Sequence, residues 1–294
     1  MEEVAKSDNI PNHFVPAISN LYIAYQELIN VTFNHNPIFG GALSKALSAI
    51  VNEKENVLNK EGAECSIYLP KYLNNLLTKS SPLVKTISSG EEGVNTAITQ
   101  AINLIGFYRE KDVIFNLYQK FLSIRLLTGD SASQDREVYA ISQLKTSSLS
   151  YHEVRKFEAM FKDIKTSEET CGEFKQHGIF TQAVEMGSIP KNCNVVVITQ
   201  GMWPNGQVST MTPPVELDRL TTCFHHFYLN KHPGRRLNWN YTLTRAELNF
   251  TAWKKLLEVD CFQAGILLQF ATKDQAMSLS ALRTAVGAND DFDK

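Results

Sequence analysis

Four side chains of the kinds zinc prefers lie within ten residues in the stretch CFHHFYLNKH: Cys223, His225, His226 and His232. A structural zinc site takes its ligands as two spaced pairs across a turn. Here Cys223, His225 and His226 fall on one amphipathic pattern, bracketed by Phe224 and Phe227. That placement favours the polar side of a packed helix, so neither a metal nor any other cofactor is expected. Other catalytic signatures are missing as well: the chain has no G-x-S-x-G, H-E-x-x-H, P-loop or G-x-G-x-x-G. The doublet Gly40-Gly41 sits inside an apolar helical pattern, which fits a close helix contact or a break better than a phosphate cradle. Two sparse basic sets, Lys231 with Arg235 and Arg236, and Lys71 with Lys79 and Lys85, are ordinary for solvated turns. No chemistry of the chain's own follows from these residues.

The elements that would position them change character along the chain. Phe14, Ile18, Leu21, Tyr22, Tyr25, Leu28 and Ile29 repeat at helical spacing, and Phe39, Leu43, Leu47, Ile50 and Val51 repeat likewise. A polar loop is expected from Asn52 to Gly62, a third helix from Tyr68 to Leu77, and a turn at Ser80 to Pro82. Val94 to Ile105 and Val113 to Leu126 form two helices interrupted at Arg109 to Asp112, and Val138 to Leu144 adds another. The result is an antiparallel helical bundle over residues 1–150.

Beyond it, Phe157, Met160, Phe161 and Ile164 line one more helix, followed by strand-like pieces. These are Val195 to Thr199, the alternating run Leu237, Trp239, Tyr241, Leu243, and Lys254 to Asp260. Between the first two, Pro213 and Pro214 fit a helix's first turn, Glu216 its positive end, and Leu217, Leu220, Phe224 and Phe227 its apolar face. Phe262 to Phe270 and Ser278 to Val286 read as helices. The fold class is mostly α, α+β: a helical bundle, a small α/β domain over 151–272 with a short antiparallel sheet, and a winged-helix start over 273–294.

Composition narrows the class. With 43% hydrophobic residues the chain can bury a core, and 29 basic against 31 acidic residues give no reason to expect nucleic acid. The N-terminus lacks an apolar signal core, and no stretch is long enough to span a membrane. Five dispersed cysteines with no C-x-x-C pair suit reduced thiols, hence the cytoplasm and/or nucleus.

The second half resembles a cullin. Met160-Phe161-Lys162-Asp163-Ile164 carries the family's Met-Phe-x-Asp-Ile helix, and Gly201-Met202-Trp203-Pro204 its Gly-x-Trp-Pro. Phe224 to Tyr228 carries Phe-x-x-Phe-Tyr, and His232 to Trp239 carries His-x-Gly-Arg-x-Leu-x-Trp, all in the family's order. NLYIAYQELINVTFNHNPIFGGALSKALSAIVN and YQKFLSIRLLTGDSAS resemble its four-helix bundle, extending the likeness over roughly Asn12 to Ala285. The likeness departs at Gln143-Leu144-Lys145 and Ser147-Ser148, where the family has a Lys-Leu-Lys run and a Cys-Gly turn.

The resemblance implies a non-enzymatic scaffold of a ubiquitin ligase. Its partner would be a RING-box protein that adds a strand to the small sheet. Val195, Val196, Val197, Ile198, Leu237, Trp239, Tyr241, Leu243, Leu256 and Val259 would form that docking sheet. Lys71, Lys79 and Lys85 would be the basic groove for the acidic tail of a ubiquitin-conjugating enzyme, an indirect partner. The family's N-terminal repeats and its modified final winged helix are expected to lie outside this sequence. The alternative reading is a cullin-like decoy or structural interaction protein without ligase activity.

Overall fold

The computed structural model describes residues 10–52, 65–87, 90–147, 151–204, 211–250, 254–271 and 276–287. Among them the chain forms twelve α-helices, short 3-10 turns and one two-stranded antiparallel sheet, a mostly α, α+β fold. It divides into two compact units, Met1–Ile164 with Ile198–Pro204, and Lys165–Val197 with Asn205–Lys294. No helix of the described residues is long and apolar enough to cross a membrane.

The first unit holds α1 (Ile10–Val31), α2 (Pro37–Asn52), α3 (Tyr68–Leu77), α4 (Pro82–Thr86), α5 (Gly90–Asn103), α6 (Lys111–Thr128), α7 (Gln134–Thr146) and the start of α8 (Tyr151–Gln176). Each apolar pattern in the sequence becomes a helix, but the faces are only partly inward: Leu21, Tyr25 and Leu28 of α1, Phe39 of α2 and Val138 of α7 are exposed. Val15, Leu69, Leu76, Ile98, Leu122, Phe157 and Met160 meet in one continuous core. The interruption at Arg109 is real: a 3-10 turn, Leu104–Phe107, separates α5 from α6. At the end of α6, Gly129 takes a left-handed φ of 69° and donates its amide to the Arg125 carbonyl, a conformation that costs glycine little. Ser133 then starts α7, its hydroxyl accepting from the Arg136 amide at 3.1 Å.

One ion pair is sealed into this unit. Arg125 and Glu137, 2% and 0% exposed, join by two hydrogen bonds of 2.7 and 2.9 Å. Asn74 accepts from the same guanidinium at 2.6 Å, and the Ser131 hydroxyl donates to Glu137 at 2.6 Å. A buried charge pair survives only when its remaining polar atoms are satisfied in this way. Gly40 and Gly41 lie within α2, where a Cβ would meet nothing within 4 Å, so neither serves a close contact or a helix break among the described residues. The loop expected after Asn52 lies outside the described residues, as do Ser148 and 290–294.

In the second unit, the rest of α8 is followed by α9 (Gly178–Glu185), α10 (Val215–Lys231), β1 (Arg245–Phe250), β2 (Lys255–Asp260), α11 (Cys261–Ala271) and α12 (Leu279–Val286). The strand expected at Lys254 to Asp260 is β2, paired with β1 from Arg245↔Asp260 to Phe250↔Lys255. Gly287 ends α12 with a φ of 62°, and a Cβ there would come within 2.4 Å of the Thr212 hydroxyl. Only glycine fits that crossing.

Two expected strands are corrected. Among the described residues neither Val195 to Ile198 nor Leu237 to Leu243 pairs into a ladder, and the strand β1 begins two residues beyond Leu243. Leu237 and Trp239 do turn toward the core while Asn238 is exposed, but the alternation stops at Asn240. Tyr241–Leu243 is a 3-10 turn, closed by the Thr244 amide on the Tyr241 carbonyl and the Thr244 hydroxyl on the Asn240 carbonyl. A two-residue period reports which side chains face an apolar surface. It does not report whether a neighbouring strand exists to hydrogen-bond.

Candidate functional site

The aromatic core of the second unit is built by α8, α9 and α10. Phe174 packs edge-on against Phe180 and Phe224, each at 5.1 Å between ring centroids. Phe227 and Tyr228 complete the cluster, and Val195, Val197, Leu237 and Trp239 pack against it. Trp239 meets Phe224 edge-on at 6.1 Å. Tyr241 leaves this cluster and joins Met211, Cys261 and Val286 in a separate one. Leu243 is half-buried. On β2, Val259 is buried and Leu256 is 63% exposed, so these two side chains point to opposite faces of the sheet.

The segment from Val195 is held from one side by α8. The Ser167 hydroxyl accepts from the Val197 amide at 2.8 Å and donates to the Val197 carbonyl at 2.9 Å. One turn further along α8, the Cys171 sulfur accepts from the Val195 amide at 3.5 Å. Among the described residues the amide and carbonyl of Val196 have no partner, and its side chain is 38% exposed. Within the first unit, Asp163 accepts from the Thr199 amide at 2.7 Å, the Thr199 hydroxyl at 2.9 Å and the Trp203 indole at 2.8 Å.

Sequence reasoning missed Asp163, Ser167 and Cys171 as main-chain partners. The available signal was their spacing of four, which puts three polar or sulfur side chains on one stripe of a helix otherwise read for its apolar residues.

The remaining candidates separate. Cys223 is half-buried beside an open groove of about 490 Å³ that Ile179, Gln182 and Met186 also line. The rings of His225 and His226 are 6.3 Å apart and edge-on, and His232 packs on Tyr228 at 4.7 Å. Among the described residues no three His, Cys, Asp or Glu side chains converge as metal ligands would. Lys71, Lys79 and Lys85 are exposed, and the Lys79 ammonium donates to the Gly129 carbonyl at 3.3 Å. None of the five cysteines is joined in a disulfide, and burial together with the Asp260 carboxylate pushes the Cys261 thiol up to about 11.

The order of a helical unit followed by an α+β unit is that of two family models. Residues 1–171 match the model of the cullin alpha solenoid domain, and residues 197–292 match that of the cullin alpha+beta domain. The chain belongs to the cullin family. Its similar relatives include Cullin-1 of Dictyostelium discoideum, 30% identical over 266 residues that cover 88% of this chain and 34% of that protein. Cullin-3B of Arabidopsis thaliana is 30% identical over 90% of this chain and 34% of its own length. Cullin-4A of Mus musculus is 30% identical over 90% of this chain and 32% of its own. The chain thus spans about a third of the length of these relatives.

Proposed function

We propose that this chain is a non-catalytic scaffold of a cullin-RING ubiquitin ligase, holding a RING-box subunit by strand addition. That subunit recruits a ubiquitin-conjugating enzyme, and the scaffold acts by raising the enzyme's effective concentration near a substrate. Lys71, Lys79 and Lys85 are the proposed contact for the conjugating enzyme's acidic tail.

One observation carries this reading. Val195 to Val197 is anchored on one side by α8 and seated on an aromatic core, while the main chain of Val196 has no partner among the described residues. An extended segment from another chain satisfies such an edge with main-chain hydrogen bonds, and alternate side chains supply specificity. The run from Leu237 to Trp239, packed on the same core without a ladder, is the proposed second wall.

The test is co-expression with a RING-box protein followed by size exclusion. The native chain and Val196→Ala should co-elute with it. Val196→Pro, which removes one amide while leaving the Val195 and Val197 anchors, should not. A folded native chain that never co-elutes would refute the ligase scaffold and leave the fold with an unrelated binding role.

A further inference from the structure

Along α8, Ser167 and Cys171 are one helical turn apart, and their main-chain partners Val197 and Val195 are two residues apart in the opposite direction. Four residues of helix advance about 6 Å, and two residues of extended chain advance about 6.6 Å. The two repeats therefore stay in step, and the side chains of a helix do for this segment what a neighbouring strand does in a sheet. The same four-against-two spacing continues at Asp163 and Thr199 within the first unit.

In extended chain the amide and carbonyl of one residue point to the same side, and those of the next residue point to the other. Ser167 engages both groups of Val197, with its hydroxyl acting as donor and acceptor at once. Val196 is consequently turned the other way. Ser167 is 3% exposed and Cys171 6%, so water does not compete for these contacts.

We infer that Ser167 and Cys171 are positioning residues that hold Val195 to Val197 in strand form from one side and so aim the Val196 main chain outward for a partner strand. The inference rests on the strand-addition reading only for the identity of the partner. A free extended segment would pay the ordering cost at the moment of binding, whereas this one is ordered beforehand.

Residue-resolved amide hydrogen exchange of the full chain tests the anchoring without any partner. Val197 should exchange on the order of ten-fold more slowly than Val196, the protection one net hydrogen bond provides. Ser167→Ala should erase that difference, and Ser167→Thr, which keeps the hydroxyl, should restore it. Equal protection of Val196 and Val197 in the native chain, or protection of Val197 unchanged in Ser167→Ala, would overturn the inference. A second measurement adds a RING-box protein. Weaker association for Ser167→Ala, recovered in Ser167→Thr, is the expected result, and affinity unaffected by Ser167→Ala would refute the positioning role. An alternating exchange pattern with no RING-box association at all would leave the anchor intact and refute the proposed partner instead.

Discussion

The two units of this chain leave different polar groups unpaired among the described residues: side-chain atoms such as the Tyr108 and Tyr118 hydroxyls in the first, main chain at Val196 in the second. In the first unit one continuous core is closed over a charge pair whose guanidinium and carboxylate each make three hydrogen bonds. Among the described residues of the second unit the core is split into separate clusters, and main chain at Val196 is left unpartnered beside one of them. Buried polar groups are costly unless satisfied, so an unpaired amide survives only where water or another chain can reach it. The sealed ion pair bears on the stability of the first unit, and under the proposed strand addition the Val196 edge bears on recognition.

The largest expected break of this contrast is Glu137→Ala. It strands the Arg125 guanidinium in the core and should lower the unfolding free energy of the first unit by about 4 kcal/mol, read from urea denaturation. The double change Arg125→Met with Glu137→Leu should cost less than the single one. If it costs more, the pair is a net source of stability and the unit depends on charge rather than packing.

Phe174→Ala is the corresponding lesion in the second unit, where that ring contacts Phe180, Phe224 and Phe227. A loss of about 3 kcal/mol is expected, together with faster exchange at Val197 as its supporting core loosens. Near-zero cost would mean the aromatic cluster is not what organises this unit.

High pH probes buried thiols and phenols in both units. Burial raises Tyr72 of the first unit to about 12 and Cys261 of the second to about 11, both favouring the protonated, neutral form in the folded protein. The unfolded chain gives up these protons first, so stability declines as pH rises. The Cys261 contribution is whole below pH 9 and is lost through about 11; the Tyr72 contribution is whole below pH 10 and is lost through about 12. In thermal melts against pH, Cys261→Ala should flatten the decline between pH 9 and 11, and Tyr72→Phe the later one. A slope that survives both substitutions would assign the decline to other groups.

The smallest effect sharpens the picture of the first unit. Tyr108 is buried, and among the described residues its hydroxyl has no hydrogen-bond partner. Tyr108→Phe should therefore be neutral or stabilising by up to about 1 kcal/mol, because it removes an unsatisfied group. A loss of stability on chemical denaturation would reveal a partner for that hydroxyl.

Helical periodicity made the bundle legible, since Val94, Ile98, Ala101 and Ile102 can bury one face only as a helix. The same reading passed over α9, whose eight residues hold a single buried side chain, Phe180, too few to make a pattern. It also placed a strand at Leu237 to Leu243, where side chains alternate for two steps and a threonine then turns the chain. The family motifs were visible as residues, but what Asp163 and its helical neighbours bond to was not. Those bonds run to main chain between 24 and 36 positions away.

The sequence by itself determined most of the helices, the mostly α, α+β fold class and membership of the cullin family. These follow from local spacing and residue identity, which are properties of short stretches. Only the tertiary structure decided that Val195 to Val197 is tethered to a helix instead of a strand, and that β1 pairs with β2 alone among the described residues. The physical reason is that a hydrogen-bond edge belongs to two segments at once. Neither segment's composition records which partner its amides have found, or that one of them has found none.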